Sequence, residues 1–282
     1  MAILQNKIDF AAVILVKNAN PNGDPLNGNR PRVNYDGTGE LSDVCIKRKI
    51  RNRLMDMEYD VFVQSDDNRK DEYPSLRKRA EGEIPATIRK NQDEYAKAAC
   101  EKWIDVRAFG QVFAYSGDGD KGISIGIRGP VSIHPAFSIN TVNVSSIQIT
   151  KSVSGEGDGT KRASDTMGMK HRVDFGVYTT FGSINPQLAE KTGFSAEDVE
   201  AVKQALSTLF ENDASSARPE GSMEIFRLYW WEHNCKSGQF SSAKVHRSLN
   251  IEPKCDTPRS IEDYDISLDN LEGLSCISIE GR

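Results

Sequence analysis

Followed for apolar and polar positions, the chain opens on a run without a polar face. Ile8 to Lys17 (IDFAAVILVK) is rich in β-branched residues and is interrupted only by Asp9, so it predicts a buried strand. It is shorter than the ~20 residues a membrane helix needs, and no small-residue cleavage site follows to make it a signal peptide. Asn18 to Gly39 is dense in Asn, Pro, Gly and Asp, a composition that breaks regular structure and exposes backbone amides. Helical spacing then appears. Ser42 is placed as an N-cap, and Ile46, Ile50, Leu54 and Met57 form the apolar stripe of a helix ending near residue 57.

Asp60 to Ala99 is charge-rich with helical pieces and reads as an inserted peripheral subdomain, and Glu101 to Tyr115 predicts a further helix. Strands are expected over 122–128, 131–139 and 141–153, followed by a Gly-rich tip at Ser154 to Thr160 and a strand over 173–181. Ser195 and Asp198 stand as a capping box before a helix reaching about Phe210. Strands close the chain at 223–232, 243–251 and near Ile277. Without the insert the order approaches β-α-β-β-α-β. The expected fold class is therefore α+β: a modified ferredoxin-like or RNA-recognition-motif palm, one domain over 1–282 with insertions.

Composition narrows the function. Five cysteines, none in a C-x-x-C pair, argue against a zinc knuckle or disulfide framework and fit a cytoplasmic setting. The net charge of −5 disfavours a generic nucleic-acid binder, but its distribution is uneven. Residues 1–57 carry nine Lys/Arg against six Asp/Glu, and residues 144–172 five against three. Residues 190–282 carry ten against seventeen, so the basic segments are local tracks on an acidic protein.

Three segments carry candidate chemistry. Asn20, Asn22, Arg30 and Arg32 in the first loop offer amides and guanidinium groups for phosphate and sugar, although the same composition describes a solvated turn. Lys47, Arg48 and Arg51 gather on the helix face opposite its apolar stripe, as a backbone track or as an ordinary solvated face. Lys161, Arg162, Lys170, His171 and Arg172 flank a Gly-rich tip together with Met167 and Met169. These thioethers suit either a wedge against an unstacked base or core filling beneath the hairpin. Catalytic signatures are missing: no P-loop, G-x-S-x-G or H-E-x-x-H occurs, and the four histidines are scattered. SGEGDG and SGDGDKG look like calcium loops but do not continue with the required spacing. No cofactor and no metal is expected.

The run VKNANPNGDPLNGNRPRV, the helix SDVCIKRKIRNRL and the stretch TMGMKHRVDFGVYTTFGSINP resemble the backbone subunit of subtype I-C CRISPR surveillance complexes, in the RAMP superfamily. This resemblance, over essentially the whole chain, implies a non-catalytic protein that polymerises head-to-tail along guide crRNA and presents bases to target DNA. It implies fingers in the insert at about 60–100 and a thumb in the hairpin at about 150–172. Other Cascade subunits would cap the filament, a separate nuclease-helicase would cut, and no membrane would be involved. Mapped residue by residue, Asn20, Asn22, Arg30, Arg32, Lys47, Arg48 and Arg51 become palm contacts to RNA. Met167, Met169, Lys170 and His171 come to lie beside a flipped nucleotide, with Lys161 and Arg162 nearby. Arg69, Lys70, Arg77, Lys78 and Arg79 become candidate contacts to target DNA. The alternatives are a metal-dependent RNase of the RAMP type using Asp24, and a free-standing RNA chaperone.

Overall fold

The structure, a computed structural model, describes residues 2–89, 91–115, 123–150 and 167–282. Strand β1 (Ile8–Ala19) is its axis. It pairs antiparallel with β10 (Met167–Ile184) on one side and β11 (Met223–Glu232) on the other. Both faces of β1 are buried, which explains its unbroken apolar run. Phe10, Ala12, Ile14 and Val16 point into one core, while Ala11, Val13 and Leu15 point into another, as strand alternation requires.

The sheet continues outward. Beyond β10 lie β7 (Val131–Ile133), β8 (Ala136–Thr141) and β9 (Val144–Thr150), and β4 (Thr38–Leu41) closes the edge against β8. On the far side β14 (Cys276–Glu280) pairs with β11. All these pairs are antiparallel. Gly39 on β4 lets the edge approach β10: a Cβ there would lie 2.2 Å from the Tyr178 hydroxyl.

Two helices cover the first core. The first is α1 (Asp43–Asp56), capped by Ser42, whose hydroxyl accepts from the Cys45 amide; Ile46, Ile50 and Leu54 are fully buried. The other, α6 (Ala196–Ser207), starts with the Ser195–Asp198 capping box. Short α5 (Pro186–Thr192) precedes it. Phe10 stacks on Trp230 at 5.5 Å between centroids in this core, a pair whose truncation would cost about 3–5 kcal/mol. The second core lies on the opposite face, beneath α7 (Ser242–His246) and the hairpin of β12 (Leu249–Pro253) with β13 (Tyr264–Leu268).

The insert has its own core. Phe62, Tyr95, Trp103 and Phe113 meet ring to ring at 4.6–5.2 Å, among α2 (Leu76–Glu83), α3 (Gln92–Lys102), α4 (Ile104–Phe109) and the hairpin β5 (Gly110–Tyr115) with β6 (Ile123–Arg128). This cluster reaches Ile125, well past residue 99.

Several expected elements change. The helix expected over 101–115 is broken at Trp103, between α3 and α4, and α4 stops at Gly110, whose φ of +79° favours glycine; a Cβ there would meet the Ile127 carbonyl at 2.2 Å. The segment 243–251 is not one strand: the Ser241 hydroxyl accepts from the Lys244 amide and nucleates α7 before β12 begins. The strand expected from residue 173 starts at Met167, because β9 pairs with it residue for residue. Even the first loop holds a short ladder, β2 (Gly23–Asp24) with β3 (Arg30–Pro31).

Candidate nucleic-acid interface

The first loop is braced from within. Asn18 takes a φ of +55° where it drops out of the β1–β10 ladder, between the pairs Lys17–Phe175 and Ala19–Val173, and Asn20 is turned inward. Asn20 is only 3% exposed; its Nδ2 donates to the Asn29 carbonyl at 2.6 Å. Asn22 Oδ1 accepts from the Ser42 amide at 2.9 Å and from its hydroxyl at 3.0 Å, tying the loop to the start of α1. Both asparagines, expected as RNA contacts, thus brace the loop through Asn20 Nδ2 and Asn22 Oδ1, while the buried Asn20 Oδ1 makes no hydrogen bond among the described residues. Arg30 and Arg32 remain partly exposed. Arg30 Nη1 donates to the Ser146 hydroxyl at 2.6 Å, while Arg32 lies 3.5 Å from Asp24. Asp24 is itself the cap of a 3-10 turn, accepting from the Leu26 amide.

The basic face of α1 divides in the same way. Lys47 pairs with Asp43 at 3.0 Å, and Arg51 Nε donates to the buried Asp105 at 2.9 Å while lying over the Phe109 ring. Arg51 therefore faces the insert rather than a solvent groove, which corrects its expected place on the track. Arg48 alone of the three is exposed, beside Asp67. Lys49 is buried and ion-paired with Asp213. Burial pulls its ammonium below the ordinary lysine range despite that carboxylate.

β9 and β10 form a two-stranded ribbon; residues 151–166, Lys161 and Arg162 among them, lie outside the described residues. Directly opposed residues share a face in an antiparallel pair. Met169 faces Gln148, Met167 faces Thr150, and His171 faces Ser146 with Nδ1 2.9 Å from its hydroxyl. These side chains therefore line one face, where Arg30 also ends. Lys170 faces Ile147 and lies on the other. The four residues expected beside one nucleotide are split by the pleat. Both methionines are well exposed, at 63% and 55%, so neither fills a core.

In the insert, Arg79 is buried in a bidentate pair with Asp71 (2.6 and 2.8 Å), and Lys70 Nζ donates to the Met55 carbonyl. Arg77 and Lys78 share Glu81, and exposed Arg69 donates to the Tyr73 carbonyl at 3.2 Å. A buried guanidinium whose three nitrogens all donate within the insert, two to Asp71 and one to the Phe62 carbonyl at 2.8 Å, has no reach to DNA, so Arg79 leaves that group.

Hydrogen bonds join the loop to the ribbon, through Arg30 and His171 at Ser146, and the loop to the start of α1, through Asn22 at Ser42; Arg32 on the loop, Lys47 and Arg48 on α1 and Met167 and Met169 on the ribbon are the further candidates on these elements. Ser146, which links loop to ribbon across 116 residues of sequence, carried no signal in the chain. Among the described residues no group of three or more His, Cys, Asp or Glu is placed to hold a metal ion. No helix among them is long and apolar enough to cross a membrane.

An α+β sheet with such a ribbon and braced loop defines a class of protein shared with known chains. Residues 6–269 match the family described as CRISPR-associated protein Cas7, and the chain belongs to that family. It is similar to the CRISPR-associated protein Cas7 of Haloferax volcanii, at 27% identity over 238 residues covering 79% of this chain and 69% of the relative. Among solved structures it resembles a chain of a CRISPR RNA-guided surveillance complex in a pre-nicking state, with a TM-score of 0.51 and 15% identity over 80% of this chain and 78% of that one. A chain of another CRISPR RNA-guided surveillance complex aligns with a TM-score of 0.44 and 16% identity, over 80% of this chain and 68% of that one.

Proposed function

We propose that this chain is the non-catalytic backbone subunit of an RNA-guided surveillance complex, binding guide crRNA along its sugar-phosphate backbone. Membership of the Cas7 family is the observation that carries the reading. The sheet order β11-β1-β10-β8 supports a ferredoxin-like palm, with β1, α1, β8, β10, α6 and β11 as its β-α-β-β-α-β frame. The insert serves as fingers and the β9–β10 ribbon as thumb. The run VKNANPNGDPLNGNRPRV supports assignment to subtype I-C.

The mechanism is positioning. Arg30, Arg32 and Arg48 replace condensed counterions on the RNA backbone without reading sequence. Met167 and Met169, flexible and polarizable, pack against a base turned out of the stack. Bases between such points stay free to pair with target DNA. Copies add head-to-tail through a heterologous, open interface, so RNA length and capping subunits set the number of copies. The protein works in the cytoplasm, and a separate nuclease-helicase cuts.

Native mass spectrometry of the particle co-expressed with a repeat-spacer transcript and neighbouring subunits tests this. Several copies per guide, rising as the spacer lengthens, is the expected result. A monomer or fixed dimer on heterogeneous RNA would overturn it.

A further inference from the structure

A second feature lies on the other side of the sheet. The ribbon face bearing His171 and Met169 continues, two residues at a time, into Val144 and Val173, which pack with the helix-side core. Phe175 instead packs with the core beneath the β12–β13 hairpin. Phe175 forms one wall of a half-open cavity of about 730 Å³, between the middle of β10, the β8–β9 turn and the 256–259 loop. Organic ligands of nucleotide size occupy cavities of roughly 300–1,000 Å³.

Its lining is chemically particular. Lys17 sits directly across the β1–β10 ladder from the Phe175 backbone, and Arg259 stands at the other wall. Both are exposed, and neither has a side-chain partner among the described residues, unlike Lys47, Lys49 and Arg51. Two amides are fixed in opposite senses. The Tyr264 hydroxyl donates to Asn140 Oδ1 at 2.8 Å, leaving Asn140 Nδ2 as a free donor. Asn143 Nδ2 donates to Asp174 at 2.5 Å, leaving Asn143 Oδ1 as a free acceptor. Burial pushes the Tyr264 phenol up to about 12, so it keeps its proton and holds Asn140 in that orientation at neutral pH. Asp174 is already satisfied by Asn143, by Ser145 at 2.9 Å and by Arg172 at 3.7 Å. Asp256 is exposed at the rim with no partner among the described residues.

We propose that this cavity is a ribonucleotide-binding chamber, separate from the guide interface. Phe175 offers an aromatic surface to a base. The paired donor and acceptor of Asn140 and Asn143 match the mixed edge of a base. Lys17 and Arg259 take the phosphate. An unpaired carboxylate opposes an anionic ligand unless it accepts hydroxyl protons, so Asp256 receives the ribose hydroxyls and selects ribose over deoxyribose. The ligand is either a free ribonucleotide or one nucleotide of an RNA chain, since both present the same groups.

The test uses the full chain freed of RNA, titrated with AMP, UMP and dAMP by ligand-observed NMR and calorimetry. Saturable binding of the ribonucleotides is expected, weakened about tenfold or more by Lys17→Glu with Arg259→Glu, both exposed positions. Asp256→Asn should bring AMP and dAMP to equal affinity. 4-Thiouridine RNA crosslinked to the same chain assigns the source: adducts near Phe175 mean an RNA nucleotide, and their absence with retained mononucleotide binding means a free one. No saturable binding of either ligand, or binding indifferent to the charge reversals, would overturn the chamber. Such a failure leaves RNA-templated assembly standing, because the copy number per guide is read independently.

Discussion

Arg51 Nε donates to Asp105 Oδ2 at 2.9 Å across 54 residues, so the basic helix and the insert share one buried carboxylate. Asp105 also accepts from the Phe62 amide at 2.7 Å and the Val63 amide at 3.1 Å. Asp105→Ala strips three donors of their acceptor at once and is expected to cost about 3–5 kcal/mol. The urea unfolding midpoint checks this. Parental stability in the variant would mean that the insert is held elsewhere.

The same contact separates structural cations from those proposed to bind RNA. Arg51→Ala should lower the melting temperature and leave the salt dependence of RNA binding unchanged. Arg30→Ala and Arg32→Ala should each flatten the slope of log K against log salt by about 0.7, the value per phosphate on a single strand. Filter binding from low to moderate salt reads both. An unaltered slope in Arg30→Ala would remove the loop from the track.

Met167 and Met169 are exposed, so Met167→Ser with Met169→Ser should change stability by less than about 0.5 kcal/mol. RNA affinity should nevertheless fall. A large loss of thermal stability with intact binding would return the methionines to a packing role.

His246 gives an acid-sensitive point beneath α7. Its Nε2 lies 3.1 Å from the Gly182 carbonyl and 3.7 Å from Asp9, with His134 and Lys7 also facing it. Burial above all, helped by the His134 and Lys7 charges, pulls the imidazole below 6.5, against the opposing pull of Gly182 and Asp9. The unfolded chain therefore takes up a proton that the folded one resists. Stability falls as pH drops below about 6.5 towards the depressed value, and levels off beneath it. His246→Gln, which keeps a donor for Gly182, should flatten the melting-temperature profile between pH 7 and pH 5. Parallel profiles would exclude this residue as the cause.

Much of the frame was legible because it rests on local signals. The unbroken run of β1 follows from burial on both faces, and the caps at Ser42 and Ser195 follow from orphan amides at a helix start. The strand at Met223–Glu232 reads directly from its β-branched and aromatic content. Gly110 misled because one glycine within a helical pattern does not announce a left-handed φ. The segment after Ser241 misled because a five-residue helix is too short for its periodicity to appear.

The chain by itself determined which residue types crowd the proposed interface: a loop of amides and guanidinium groups, a basic helix and a ribbon with methionines. Only the tertiary structure decided which of them are tied into the fold's interior and which stay at its surface. Asn20, Asn22, Arg51 and Arg79 look in sequence like Arg30 and Arg48, but their partners Asn29, Ser42, Asp105 and Asp71 arrive by folding. The pleat likewise sent His171 and Lys170 to opposite faces. A cation's availability depends on the charges that folding brings near it, and spacing along a chain carries no record of those distances.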